Sequence, residues 1–530
     1  MMYTQRTFLL GTVQMILSVS PHFLTKRLFC ILCLKGLVIF ALILYAGIGL
    51  GPDEAQYWTW SQALDWGYYS KPPGIAWQIW LGTHLFGQTE WGVRSLTVLI
   101  AIFQALAVYQ LALRAGLLRR TAYWCGLLMA FCPLGILGSF LAITDVGFLF
   151  FWTGACLTVV SALNQEKAPD PIRIGGWVLA GALFKWPIYL FWLFFLFCRR
   201  WYFPNQKIVR VLAGVLLSLL GLLPSVWWNW THDWATFRHV SATLQGGSSH
   251  QAAGNVGAFL GSQALLFSPL LFILLIFGFW QWMRQRHSLS PPLFFCGFVT
   301  FACLGMMTIA ACFQKIQGNW ISFAYPTALI VLGWDSFQQH PKRAQWAKIG
   351  LGLSILLTSA IFLLPSFYLV PSLASYAPPY RLNPFKHNLG WTMLQQALAR
   401  QGYEPGKHFL FSDKYQTTSI LSFYGADQKR AYFINLQGVR KNQFSYWPSL
   451  QEEEQGKIGF FIWTENMPYL KRNWQAKLAF YQTELQRYFE KVEFLELVPL
   501  VYENSTIANA AFIFRCQNCK NFQPADSQLY

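Results

Sequence analysis

The chain reads as a membrane all-α protein: a polytopic bundle of about eleven or more transmembrane helices, with a small C-terminal α/β domain outside the bilayer. Three observations predict this. Apolar residues make up 55% of the 530 and charged residues only 12%, against about 25% charged in an ordinary soluble domain, so lipid must solvate much of the surface. Long apolar runs recur between residues 28 and 370, separated by short Lys/Arg clusters. Beyond 370 the composition turns polar, and strand-like and helix-like runs alternate, the pattern of a small α/β unit.

Residues 1–27 form an N-terminal cytoplasmic or interfacial segment, because the apolar run 8–20 is shorter than the roughly 20 residues needed to span a bilayer. The first span, 28–50, follows Lys26 and Arg27, which puts the N-terminus in the cytoplasm by the positive-inside rule. Residues 51–90 are then the first outer loop, in which Pro72 and Pro73 open an interfacial helix. Spans at 92–113, 121–140 and 146–163 alternate around Arg114, Arg119, Arg120 and Lys167. The run 174–198 holds Lys185-Trp186-Pro187 at its middle. A proline there removes a helix hydrogen bond, and only a fold-back returns Arg199 and Arg200 to the cytoplasm, so two half-spans are expected with Lys185 near the outer face. Spans at 209–228, 256–283, 292–313, 320–334 and 349–370 complete the domain 28–370. The remainder, 371–530, is the outer domain, with strands at 408–412, 458–462 and 511–514 and helices at 391–400 and 474–489.

The net charge of +18 is spread through these loop clusters, which excludes a nucleic-acid-binding stripe. Seven of the 11 cysteines, from Cys125 to Cys312, lie singly in apolar runs and read as packing residues. Cys516 and Cys519 are half a zinc site at most, or a local disulfide, or two free thiols. No P-loop, dinucleotide fingerprint or HExxH is present.

Sorting the polar residues by side leaves a cluster at the outer face. Asp53 and Glu54 follow directly after the first span, where charge is costly and tends to be functional, although paired acids at a membrane exit can also be simply solvated. Tyr68, Tyr69 and Lys71 follow in the same loop, and Arg94 opens the second span. Asp145 lies in the next outer connection, Lys185 at the half-span tip, and Lys315 and Trp320 at a later span end. Cations at this depth suit a phosphate headgroup, and a carboxylate suits a general base. Each lysine alone can equally snorkel to lipid headgroups; their joint occurrence beside acids favours chemistry. Acids and lysines outside, with no nucleotide motif, point to a sugar donor already carried across on a lipid. No cofactor is certain: His232, His239 and His250 are candidate ligands for a divalent metal, but read first as loop histidines.

The motifs PDEAQYW, YYSKPPGIAW, VRSLTVL and TDVGFLFFW, followed by GALFKWPIYL, FQKIQGNWISFAYP, FSDKYQTTSILSFYG and VRKNQFSYW, resemble the bacterial protein O-mannosyltransferase superfamily in its aminoarabinose-transferase-like branch. The resemblance implies a GT-C fold and inverting transfer from a polyprenyl-phosphate sugar at the periplasmic face of the inner membrane. The acceptor would be an envelope lipid (lipid A or lipopolysaccharide), another glycan or a protein. By the same resemblance Asp53, with Glu54 beside it, takes the place of the proposed base or acceptor organiser. Lys71, Lys185, Arg94, Tyr68 and Lys315 fall on the donor phosphate, and Asp145, Tyr69 and Trp320 on sugar or acceptor. Gln56 stands where those relatives carry arginine and Ser70 where they carry glutamate, so the metal contact of that glutamate is not carried over and the sugar is expected to differ. A lipid-linked-sugar flippase would instead string its charges along a transmembrane path, and a sensor or scaffold would have no use for the cluster.

Overall fold

The computed structural model describes residues 21–244, 254–467, 474–504, 506–520 and 529. The apolar run 8–20 and His250 lie outside the described residues. Among the described residues, six helices are long and apolar enough to cross a membrane: Phe23–Tyr45, Glu90–Arg114, Thr144–Asn164, Ile208–Thr231, Pro291–Phe313 and Pro341–Leu369. The first begins within the predicted N-terminal segment and stops five residues before the expected 50. Two further spans expected to be straight are each broken. Residues 121–140 form Arg119–Phe131 and Pro133–Phe140, bent by 55°, because Pro133 cannot continue the hydrogen-bond ladder. Residues 256–283 form Val256–Phe267 and Pro269–Gln285, bent by 107°. Here Ser268 turns the chain with φ of +84° just before a proline. The expected span 320–334 is shorter still, a 3₁₀ turn Gly318–Ala324 followed by the helix Tyr325–Gly333 and a π-helical turn Trp334–Gln339.

The half-span reading of 174–198 is resolved by contacts at both ends. Helices Pro171–Ala182 and Phe191–Tyr202 flank a 3₁₀ turn at Trp186–Leu190. At 12 residues apiece, about 18 Å, neither spans a hydrocarbon core of about 30 Å. The Gln206 amide donates to Pro169 O at 2.6 Å, so the two ends of the segment meet. Gly175 abuts Gly214 and Gly221 abuts Leu179, so Pro171–Ala182 and Ile208–Leu219 run in the same direction and the helix between them must run back. Lys185 is therefore at the tip of a hairpin.

In the loop 51–90 after the first long helix, Pro52–Gln62 and Gly74–Phe86 are helices. Pro52 sits at the first helical position, where its missing N–H costs nothing. The second begins against the hairpin: Gly74 N donates to Leu183 O at 2.7 Å, and a Cβ at Gly74 would sit 2.6 Å from that oxygen. Only glycine permits this approach.

The C-terminal part holds a five-stranded sheet. Its strands are β1 (His408–Ser412), β2 (Tyr432–Phe433), β3 (Ile458–Asn466), β4 (Phe489–Glu503) and β5 (Thr506–Cys519), in the order β2-β1-β3-β5-β4. The first three are parallel, and β3-β5-β4 is antiparallel. Strands β2 and β4 and the helix Tyr415–Tyr424 are additions to the expected elements, and β5 begins earlier than expected. The sheet domain is bonded to this first loop and the residues just before it. Leu50 N donates to Tyr424 Oη at 2.7 Å, Gly49 N to Asn388 O at 3.0 Å, and Tyr69 N to Gln443 Oε1 at 2.7 Å. Trp58 meets Phe423 edge to face.

Candidate active site

Asp53 and Glu54 are consecutive in the first turn of Pro52–Gln62, so their side chains diverge. Glu54 turns inward. Its carboxylate accepts from Arg94 Nε at 2.8 Å and Nη2 at 2.6 Å, from Gly51 N at 3.0 Å and from Ala142 N at 2.9 Å. Arg94 spends its other donor capacity on Ile48 O and Gly49 O, and both side chains are essentially closed to solvent. The expectation that Arg94 faces a donor phosphate is corrected: its guanidinium is enclosed and bonded. Glu54 borders the same cavity as Asp53, but these four donors already occupy its carboxylate oxygens. Together Glu54 and Arg94 fasten the first-loop helix, the head of the second span and the 141–143 turn.

Asp53 remains accessible. Its recess desolvates the carboxyl and raises its pKa above the ordinary carboxylate range, with the Lys71 ammonium opposing the rise and Glu54 and Asp145 adding to it. Lys71 is half-buried, and among the described residues no carboxylate lies within 4 Å of its ammonium. Desolvation lowers its pKa, helped by Lys185 and opposed by Asp145 and Asp53. Lys185, on the hairpin tip, donates to Asp145 Oδ1 at 2.7 Å, while Asn319 donates to Asp145 Oδ2 at 3.3 Å. The tip fits because Gly147 leaves room for the Phe184 ring, which a Cβ there would meet at 2.5 Å. Four groups predicted to converge, Asp53, Lys71, Asp145 and Lys185, thus share one electrostatic neighbourhood.

The other expected residues lie differently. Tyr68 is buried, stacked on Trp60 at 4.6 Å, and donates to Trp60 O. It props the loop instead of opening onto a phosphate, which corrects the expectation for it. Tyr69 is buried beside His239 and Tyr446. Lys315 is exposed, and Trp320 is half-buried with its indole donating to Gln317.

Sequence reasoning missed Tyr57, Tyr415 and Arg440. Tyr57, one turn after Asp53, is buried with its hydroxyl under the influence of Asp53 and Asp145. Tyr415 feels Asp53 and bonds Arg440, and Arg440 Nη1 lies 3.3 Å from His239 Nδ1. Burial, with Arg440 and Lys71 nearby, lowers the His239 pKa to about 4, so at neutral pH its ring accepts from the arginine. Tyr415 and Arg440 fall inside quoted motifs of the tail, the one available signal. Among the described residues, no group of three or more His, Cys, Asp or Glu is placed to hold a metal ion; His232 stacks on Trp228.

Asp53 is also part of the wall of a chamber of about 620 Å³ between the helical part and the sheet domain. Leu137, Leu141 and Ile143 line one side, and Lys414, Thr464 and Asn466 the other. Lys71, Asp145 and Lys185 do not line it, so Asp53 joins the chamber to the charge cluster. A separate apolar groove of about 710 Å³ is lined by Trp66, Leu220, Leu223, Trp227 and Trp230.

A charge cluster thus sits where helices long and apolar enough to cross a membrane meet a sheet domain, and comparisons with known proteins show which proteins are similar. The family model described as dolichyl-phosphate-mannose-protein mannosyltransferase matches residues 70–228. The chain is 26% identical over 433 residues to the lipid A galacturonosyltransferase RgtD of Rhizobium johnstonii, covering 80% of this chain and 89% of that protein. It is 31% identical over 223 residues to an undecaprenyl phosphate-alpha-4-amino-4-deoxy-L-arabinose arabinosyl transferase of Pseudomonas aeruginosa, covering 38% and 40%. The structure of ArnT from Cupriavidus metallidurans bound to undecaprenyl phosphate superposes with a TM-score of 0.59 at 15% identity, covering 91% of this chain and 97% of that one. The chain is a glycosyltransferase similar to these enzymes, and it shares the fold of the ArnT structure.

Proposed function

We propose that the chain transfers a sugar from a polyprenyl-phosphate carrier to a lipid A-type acceptor, with inversion, at the periplasmic face of a bacterial inner membrane, its sheet domain lying in the periplasm. The observation that carries this reading is Asp53, accessible between a chamber and the unpaired Lys71 ammonium. In the step, an acceptor hydroxyl oxygen bonds to the anomeric carbon as its proton passes to the Asp53 carboxylate. The bond from that carbon to the phosphate oxygen breaks, and the electron pair leaves with the polyprenyl phosphate. Lys71 meets the charge that develops there, an electrostatic contribution of the kind that is often largest in such sites. The Asp145–Lys185 pair lies in the same charged neighbourhood, its lysine held by the carboxylate at 2.7 Å. Glu54 and Arg94 are positioning residues that set the angle of the Asp53 helix.

The chamber supports an amphipathic acceptor, because one wall is apolar and the other carries lysine, hydroxyl and amide groups. The apolar groove at Trp66, five residues before Lys71, supports a polyprenyl tail lying against the protein from the bilayer side. RgtD and the aminoarabinose transferases, whose names specify lipid A or undecaprenyl phosphate substrates, support the same donor and acceptor classes.

The test is transfer by the purified enzyme in lipid, using a radiolabelled polyprenyl-phosphate sugar and lipid A. Asp53→Asn is expected to lower the rate by about 10²–10⁴-fold, the range for losing a general base. Lys71→Ala should lower it by about 10²–10³-fold, with membrane levels unchanged in both. Full activity in both variants overturns the assignment. Movement of the donor across the bilayer without transfer identifies a flippase instead.

A further inference from the structure

Between Arg27 and Asp53 the sequence holds a single charged residue, Lys35. It stands near the centre of the first long helix, Phe23–Tyr45, and no step of the proposed transfer uses it. Its stem does not carry the amine along the helix to a headgroup, as that of a snorkelling lysine would. The side chain is buried, its Nζ donates to Gly135 O at 2.9 Å, and the Phe131 ring centroid lies 5.8 Å away. An ionisable group in the middle of a membrane helix is costly, and is kept where it faces the bundle interior and finds a partner there.

That partner belongs to the second half of a broken span, the helix Pro133–Phe140. Gly135 packs directly on the end of the first half, where a Cβ would lie 1.8 Å from Met129 O. The half-helix carries Leu137 into the chamber wall beside Asp53, and the turn after it carries Leu141 and Ile143. Its far end is tied to the Glu54 carboxylate, which accepts from Ala142 N at 2.9 Å. The segment is thus pinned at two polar points, Gly135 and Ala142, with the chamber-facing Leu137 and Leu141 between them. Along its length Ile136 and Phe140 join an apolar cluster with Ile39, Ile43, Phe362 and Phe385. Such packing is non-directional, so the two directed bonds set the depth and tilt of the wall.

We propose that Lys35 is a positioning residue for the acceptor: its bond to Gly135 sets the apolar wall formed by Leu137 and Leu141, against which the chain-bearing part of the acceptor lies. This rests on the transfer reaction, the acceptor chamber and the membrane placement proposed above. It adds a residue that acts on acceptor binding without touching the donor or the reacting atoms.

The experiment measures transfer by the full-length enzyme in lipid from a radiolabelled polyprenyl-phosphate sugar, varying lipid A at saturating donor and then donor at saturating lipid A. Lys35→Met keeps an apolar stem and loses the donor group. It is expected to raise KM for lipid A about 3–10-fold, the worth of one hydrogen bond, with kcat and the donor KM unchanged. Lys35→Gln, which keeps an N–H on a shorter stem, should fall between the two. Leu137→Ala should raise the same KM, and the double variant should show less than the product of the single effects, because the lysine acts through that wall. Loss spread over kcat and both KM values overturns the inference, since Lys35 then serves the fold at large. So does an unchanged KM for lipid A, or a double variant that shows the full product. Should Lys35→Met fail to accumulate, Lys35→Gln takes its place in the cycle with the same outcomes. A wild type that transfers nothing to lipid A overturns the proposed function and the inference with it.

Discussion

Asp53 and Glu54 are adjacent in sequence, chemically almost the same and both on the wall of one chamber, yet one is taken up by an ion pair and the other is exposed. Glu54 accepts four hydrogen bonds and is sealed with Arg94. Asp53 has one flank on the chamber and the other toward an ammonium that no carboxylate has claimed. Buried charge is tolerable only when its hydrogen-bonding capacity is filled, and a catalytic charge must keep some of that capacity free. A single helical step of about 100° separates the two outcomes.

The sharpest way to break this comparison is to neutralise each acid and read stability beside transfer. Glu54→Gln strands the buried guanidinium, and Arg94→Met strands the buried carboxylate. Each is expected to cost about 3–5 kcal/mol, measured as a lower thermal midpoint and less protein in the membrane. Asp53→Asn should leave both readouts unchanged while abolishing transfer. A stable Glu54→Gln enzyme with the turnover of Asp53→Asn would reverse the two roles.

A smaller effect sharpens the electrostatics. Asp53 acts as a base only when ionised, and desolvation raises its pKa, so kcat/KM should fall on acidification at a pH above the ordinary carboxylate range. Lys71 opposes that rise, so Lys71→Met should move the acid limb to still higher pH in the residual activity. The Lys71 ammonium has its pKa lowered, so wild-type activity should also decline on the alkaline side below the usual lysine range, and that limb should vanish in Lys71→Met. An acid limb that does not move would separate Asp53 from Lys71.

The smallest expected change is Gly74→Ala. A Cβ at 2.6 Å from Leu183 O must push the first-loop helix off the hairpin, and Lys71 lies just before that helix. Transfer is expected to fall about tenfold or less through KM, with Asp53 chemistry intact, read by the split between kcat and KM.

Much of this was legible from sequence for physical reasons. Pro187 between two apolar halves forced the break that carries Lys185, and strand β1 and the helix Trp391–Arg400 fall on the expected residues because patterning and turn residues agree there. The Ser268 bend was hidden, because a non-glycine residue at φ of +84° leaves no compositional mark. Strand β4 was obscured by Pro499 and by following a helix with no intervening turn. The Glu54–Arg94 pairing, and the arrival of Tyr415 and Arg440 beside Asp53, depend on how distant segments dock, which local periodicity does not encode.

The bonds between the sheet domain and the first loop have a consequence for the order in which the protein is made. Gly49 is held by Asn388, 339 residues further along the chain, an interval of about 20–70 s at ordinary synthesis rates of 5–20 residues per second. Throughout that interval the first loop exists without the partners that shape it. A chain halted before the sheet domain would carry Asp53 and Lys71 but not the wall that brings Tyr415 and Arg440 to them. The groups around Asp53 are therefore complete only once the segment from Asn388 to Gln443 has been made and docked on the first loop.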